Sequence, residues 1–361
     1  MHYRIFFVCL LALLSTQVIA SPNLGEKSPA KLYSHEPSIP SRQSSSSASQ
    51  TSDKSNPKTL LSQFQKAYHH DNYELSYIRV RQGSIEPMRL FHGVIHGVEV
   101  VHRIHLNGPV RETVRRGDQV AHYTFGHSAY SVKASRMSGM MDTLGDISLS
   151  HLMANYDLVV SGKGRVAGRV TQVIRIIPKH DRLYGLYLWL DETSHLPLRI
   201  DIVDRHGNLV EQQMALDLVL FAKPTRWMEK LSSIDLPAIS DPESTNKPSD
   251  VKWHVGWMPM GMHIVSQNQH VLPITKQHVN YLKLSDGLFD VSVYAYPAGG
   301  NQILQGEIVR QGATSLHSVV NDGMEVTVVG EVPPQTATLI AQSVTLSSSK
   351  TGNNAQEVSH D

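Results

Sequence analysis

The 361-residue chain contains a single cysteine, Cys9, and that residue sits inside the apolar run 5–14 near the N-terminus. Removal of the run on export leaves no thiol. That excludes disulfide stapling, thiol catalysis and cysteine-ligated zinc, and requires a fold held by hydrophobic cores of ordinary size. Cys9 lies well ahead of the expected cleavage point, which disfavours a lipoprotein signal, where the acylated cysteine begins the mature chain. Long apolar stretches are equally scarce. The run 5–14 is shorter than the ~20 residues that span a bilayer, and no second one follows, so a soluble mature chain is expected. An excess of one charge is also missing: 33 Lys and Arg stand against 32 Asp and Glu. Losing Arg4 with the run balances them at 32 each, so bulk charge points to no nucleic-acid partner.

The segment that does carry apolar residues at the N-terminus reads as an export signal over 1–20: Arg4, then the run, then Val18-Ile19-Ala20 before Ser21. Residues 21–58 are rich in Ser, Pro, Lys and Gln, with the tract Ser44-Ser45-Ser46-Ser47, and predict a disordered tether. Thr59 can cap a helix in which Leu60, Leu61, Phe64, Ala67 and Tyr68 recur at helical spacing. The period then changes to two. Leu198, Ile200 and Ile202 alternate with Arg199 and Asp201, and Val210, Met214, Leu216, Leu218 and Leu220 share one parity.

Turn residues separate these strands at Gln82-Gly83, Asn107-Gly108-Pro109, Arg116-Gly117-Asp118 and His206-Gly207-Asn208, as a meander of antiparallel hairpins requires. The predicted class is α+β. Residues 60–222 form a curved antiparallel half-barrel sheet with a helix on one face. A Pro-rich linker covers 223–251, a smaller α+β domain 252–347 and a polar tail 348–361. In the second domain, strands near 279–284 and 288–294 join at Asp286-Gly287, and Pro333-Pro334 opens a closing helix.

No segment proposes a catalytic centre, a cofactor site or a metal site. Gly126-His127-Ser128-Ala129-Tyr130 lacks the second glycine of a nucleophile elbow. The glycines of 162–168 lead into a strand, whereas phosphate-binding loops lead into a helix. Among His92, His96, His102 and His105, strand parity separates His105 from the rest, so scattered histidines are expected rather than a metal centre. Arg111 and Arg115 share a parity and could meet one anionic group; the ordinary alternative is a solvated strand edge.

The segments Asn72-Tyr73-Glu74-Leu75-Ser76-Tyr77, Asn107-Gly108-Pro109-Val110-Arg111-Glu112, Tyr156-Asp157-Leu158 and Leu190-Asp191-Glu192-Thr193-Ser194-His195-Leu196-Pro197 resemble the N-terminal domain of the RseB/MucB family. Trp257-Met258-Pro259-Met260-Gly261, Ser285-Asp286-Gly287-Leu288-Phe289 and Val328-Val329-Gly330-Glu331-Val332-Pro333-Pro334 resemble its C-terminal domain. The likeness runs in order from 60 to 347.

It implies a half-barrel similar to the lipoprotein carriers LolA and LolB. It also implies a periplasmic, non-enzymatic regulator of an envelope-stress sigma factor. Such a regulator binds the periplasmic region of a membrane anti-sigma factor, shields it from proteolysis, and is released by lipopolysaccharide or an acylated ligand. Self-association stays open. A lipid or lipoprotein carrier or chaperone is the alternative, although a pure carrier needs no second domain. One helix at 60–70 covers only part of the sheet, so Leu198, Ile200, Ile202, Leu216 and Leu218 are expected to line an acyl-binding cavity.

Overall fold

The computed structural model describes residues 56–239, 244–245, 253–271, 278–298, 308–321 and 323–346. The expected export signal, most of the expected tether and the polar tail lie outside the described residues. Helix α1 (Pro57–His70) begins earlier than its periodicity indicates. Asn56 caps it by accepting from the Lys58 amide, and Pro57 occupies the first turn, where its missing N–H leaves no bond unmade. The five apolar residues of the pattern are its buried face.

Eleven antiparallel strands follow: β1 (Asn72–Arg81), β2 (Ser84–Ile95), β3 (Val98–His105), β4 (Arg111–Arg116), β5 (Gln119–Thr124), β6 (Tyr130–Lys133), β7 (Tyr156–Val166), β8 (Arg169–Pro178), β9 (Gly185–Asp191), β10 (Pro197–Val203) and β11 (Leu209–Phe221). Between β6 and β7 lie two short helices, α2 (Met140–Asp146) and α3 (Leu149–Asn155). The order β6-β5-β4-β3-β2-β1-β11-β10-β9-β8-β7 makes each neighbour a hairpin except β1–β11, which joins the two halves at the centre. On the inner face Ile174, Ile176, Leu186, Leu188, Ile200 and Ile202 are buried beneath the helices. Each contributes about 1.5–3 kcal/mol by leaving water.

Register overrides parity in β11. Ser76 pairs with Asp217 and Tyr77 with Ala215, so Leu216 is the extra residue of a bulge. Ala215 and Leu218 therefore face inward, opposite Tyr77 and Leu75, while Leu216 is 55% exposed. The single-parity expectation for Val210 to Leu220 fails at that residue.

The segment expected as linker contains α4 (Arg226–Ser233), whose Met228 and Leu231 pack on Ile95, Val100 and Val114 of the outer face. Arg116 Nη1 donates to the carbonyls of Ser232 and Ile234 at 2.9 and 2.7 Å and fixes the helix end. The second sheet comprises β12 (Ser244–Thr245), β14 (His263–Val271), β15 (His278–Ser285), β16 (Asp290–Pro297), β17 (Ile308–Gln311), β18 (Thr314–Asn321) and β19 (Met324–Gly330). Helix α5 (Pro334–Ser343) packs on β18 and β19, and β13 (Trp253–Val255) pairs with β20 (Val344–Leu346).

The two lobes share one continuous apolar core. Tyr184 meets Phe289 edge to face at 6.1 Å. Tyr156 Oη donates to Asp286 Oδ2 at 2.5 Å, and Asp286 Oδ1 accepts from the amides of Leu288 and Phe289. Burial pushes the Asp286 carboxyl up, and the bonds from Phe289 and Tyr156 only partly offset that.

Candidate ligand pocket and lobe junction

Between β1, β2, β10 and β11 on one side and the segment 138–142 on the other lies a pocket of about 30 Å³, room for roughly two water molecules. Its wall includes Leu75, Tyr77, Met88, Leu90, Leu198, Ile200 and Ala215, with Arg79, Arg103 and Arg199 as its cations. Helices α1, α2 and α3 all pack on this sheet, where the sequence predicted α1 alone.

The cover over the pocket is a methionine-rich lid. Met137, Met140 and Met141 are buried against the core, and unbranched thioether side chains can repack around a guest at little cost. Asp142 holds the lid down. Its Oδ1 accepts from Tyr68 Oη of α1 at 2.8 Å and its Oδ2 from Arg103 Nη2 of β3 at 2.5 Å; Arg103 Nη1 also reaches the Ser138 carbonyl. Gly139, at φ +148°, has no space for a Cβ, which would stand 2.9 Å from Asp142 Oδ2.

Of the residues singled out from sequence, Leu198 and Ile200 line the pocket. Ile202 and Leu218 are buried in the surrounding core, and Leu216 is at the surface. Arg111 and Arg115 do share a face, but their guanidinium groups go to different places. Arg111 Nη2 donates to His105 Nδ1 at 2.6 Å; burial and then Arg111 itself push His105 down to about 3, so the ring is a neutral acceptor. Arg115 is buried, not on a solvated edge, and reaches Glu99 Oε2 at 3.1 Å and the Ser135 carbonyl at 3.0 Å. Glu99 also meets His69 and His92. Burial would raise its carboxyl, but hydrogen bonds from His92 and Arg115 outweigh that and hold it well below the usual carboxylate range.

The histidines divide differently from the parity count. His92 pairs with Val101 and His105 with Met88, so His92 and His105 point inward and His102 outward. The turn at His96-Gly97 shifts the count, so parity does not carry from β2 to β3. On the outer face His102 Nδ1 accepts from Trp227 Nε1 at 3.2 Å, which leaves Nε2 to donate to Glu112 Oε2 at 2.8 Å. Among the described residues no group of three His, Cys, Asp or Glu side chains could hold a metal ion.

Sequence reasoning missed Arg79, Arg103, Asp142 and the Tyr156–Asp286 bond. The one signal available was Met137-Ser138-Gly139-Met140-Met141, an unusual density of methionine beside a glycine.

Both lobes match known family profiles. The MucB/RseB N-terminal domain matches residues 56–238 and the MucB/RseB C-terminal domain residues 247–345. The chain belongs to the MucB/RseB family. The sigma-E factor regulatory protein RseB of Salmonella typhimurium is 30% identical over 286 residues, covering 79% of this chain and 89% of that protein. The sigma factor AlgU regulatory protein MucB of Pseudomonas aeruginosa is 27% identical over 295 residues, with the same coverage of 79% and 89%. The crystal structure of MucB in complex with MucA(peri) superposes with a TM-score of 0.64 at 25% identity, over 81% of this chain and all of that one. Among the described residues no helix is long and apolar enough to cross a membrane.

Proposed function

We propose that this MucB/RseB protein is an exported, periplasmic and non-enzymatic regulator. It binds the periplasmic region of a membrane anti-sigma factor, shields it from proteolysis, and lets go when an acylated ligand such as lipopolysaccharide enters the N-terminal lobe. The observation that carries the first part is likeness across both lobes to MucB, which has been solved with MucA(peri). A lipid carrier would need only the first lobe, whereas this chain buries one core through two.

The second part is supported by the pocket and by what its lid is attached to. The lid continues into α2, then Ile147, then α3, whose His151 and Asn155 stand against the Asp286-Gly287 turn of the second lobe. A Cβ on Gly287 would lie 2.8 Å from His151 Cδ2 and 3.5 Å from Ile147 Cδ1. A ligand that lifts the lid therefore disturbs the same helices that brace the lobe junction, which gives it unequal affinity for the joined and disturbed states, as coupling requires.

The test uses the purified protein against the isolated periplasmic region of the anti-sigma factor, with and without an acylated lipid A fragment. The parent protein captures the partner, and the acylated but not the deacylated fragment releases it. Ala215→Leu, which fills the pocket from its wall, keeps partner capture but loses the response to the fragment. Failure of the parent to capture the partner refutes the regulatory reading. A full response in a folded Ala215→Leu protein refutes only the pocket.

A further inference from the structure

Past residue 20 the chain carries sulfur on methionine alone, and three of those methionines, Met137, Met140 and Met141, fall within five residues. All three belong to the lid. Met141 also lines the pocket, and at 8% exposed it is the least buried of the three. The exposed Ser138 and the half-buried Arg199 line the same pocket, so the space communicates with solvent on that side. A volume of about 30 Å³ admits a solute little larger than water, such as hydrogen peroxide or hypochlorous acid.

A thioether is a soft nucleophile that such oxidants convert to a sulfoxide. Its sulfur gives two electrons to hypochlorous acid and keeps the oxygen, while chloride and a proton leave. The product is polar and needs a hydrogen-bond donor once it is buried. Among the donors lining the pocket, Arg103 has a buried Nε without a hydrogen-bond partner. Arg103 is also the group that holds Asp142 Oδ2 at 2.5 Å and reaches the Ser138 carbonyl. An oxygen on Met141, next in sequence to Asp142, therefore competes for the guanidinium that fastens the lid.

We propose that Met141 is a redox modification site, oxidised by a two-electron oxygen donor admitted to the pocket, and that its sulfoxide loosens the lid by drawing Arg103 from Asp142. The site needs neither an acylated ligand nor an anti-sigma factor, so it is independent of the release reading.

Two exposed methionines supply the internal control. Met153 of α3 is 41% exposed and Met260 37%, and both are expected to react ahead of Met141. In the test, the purified protein is treated with stepped amounts of hypochlorous acid and quenched with free methionine. Peptide mapping then locates the added oxygen, and amide exchange is measured across 137–147. Exchange in the lid stays parental while Met153 and Met260 oxidise, and rises about tenfold or more once Met141 carries oxygen. Met141→Leu, which removes the sulfur and conserves volume, keeps slow exchange at the same doses. The proposal is overturned if Met141 stays unmodified until circular dichroism shows global unfolding, or if its oxidation leaves lid exchange unchanged. A folded Met141→Leu protein that loosens with dose as the parent does overturns it as well. So does a lid that loosens in step with Met153 and Met260, which would place the sensitive sulfur outside the pocket.

Discussion

Glu331 offers the sharpest quantitative test of the lobe junction. It follows Gly330 at the end of β19, its amide donates to the Asp290 carbonyl at 3.2 Å, and its carboxyl lies near Glu211 of β11 as well as Asp290. Burial first, then Glu211 and Asp290, push it from an ordinary 4.5 up to about 7, against the opposing pull of Arg79 and Arg81. The folded chain thus holds this proton more tightly than the unfolded chain, so stability falls as pH rises. The contribution is fully present below about 4.5 and is lost once pH passes about 7. At ~1.4 kcal/mol per pH unit the ionised group costs about 3 kcal/mol, with partial solvation trimming that toward ~2.

Glu331→Gln removes the ionisation and keeps the shape. Its expected effect is no gain at pH 4.5 and about 2–3 kcal/mol at pH 8, which at ~2–4 °C per kcal/mol raises the unfolding midpoint by roughly 4–12 °C. Thermal unfolding followed by circular dichroism at both pH values measures it. Glu211→Gln should move the parent's pH step downward, because one of the two neighbouring carboxylates is gone. An equal gain at both pH values, or none at pH 8, refutes the reasoning, since only an ionisation can make the benefit depend on pH.

Three further outcomes follow from the geometry. Arg115→Met strands Glu99 without its buried cation and should cost about 3–5 kcal/mol in denaturant unfolding; a cost below ~1 kcal/mol would place Arg115 at a solvated edge after all. Asp142→Asn leaves Arg103 unpaired under the lid and should speed amide exchange across 137–147 while leaving β8–β10 protected; unchanged exchange in the lid would mean that Asp142 does not fasten it. Leu216→Ser should stay within about 0.5 kcal/mol of the parent, because the bulge already exposes that side chain; a loss of 2 kcal/mol or more would return it to the core.

The elements were legible where local chemistry decides them. Leu60, Leu61, Phe64, Ala67 and Tyr68 form the buried stripe of α1, because helical period survives any tertiary arrangement. The alternation of Leu198, Ile200 and Ile202 likewise reads directly onto a half-buried strand. What failed did so at irregularities that only pairing reveals. Leu216 is lost to a bulge set by β1, and the inward and outward histidines are re-sorted by the turn at 96–97. Thr59 gave way to Asn56 as cap because a Pro at the first turn extends the helix toward the N-terminus. The lid was invisible for a different reason. Arg103, Tyr68 and Asp142 are far apart in sequence, and no periodicity connects a charge to the partner that buries it.

Asp142 and Asp286 give the two ends of the lid-to-junction path a common chemistry. Each is a buried carboxylate that accepts a tyrosine hydroxyl, Tyr68 in one case and Tyr156 in the other. Each also orders a neighbouring turn, Asp142 beside Gly139 and Asp286 beside Gly287. Between them run α2 and α3, seven residues apiece. Helices that short are marginal alone and take their stability from tertiary packing, here of Met140, Met141, Leu144 and Leu152. Gln65 Nε2 of α1 also donates to the carbonyls of Leu144 and Ile147, at 3.0 and 2.8 Å, so the path is tied to α1 between its two ends as well.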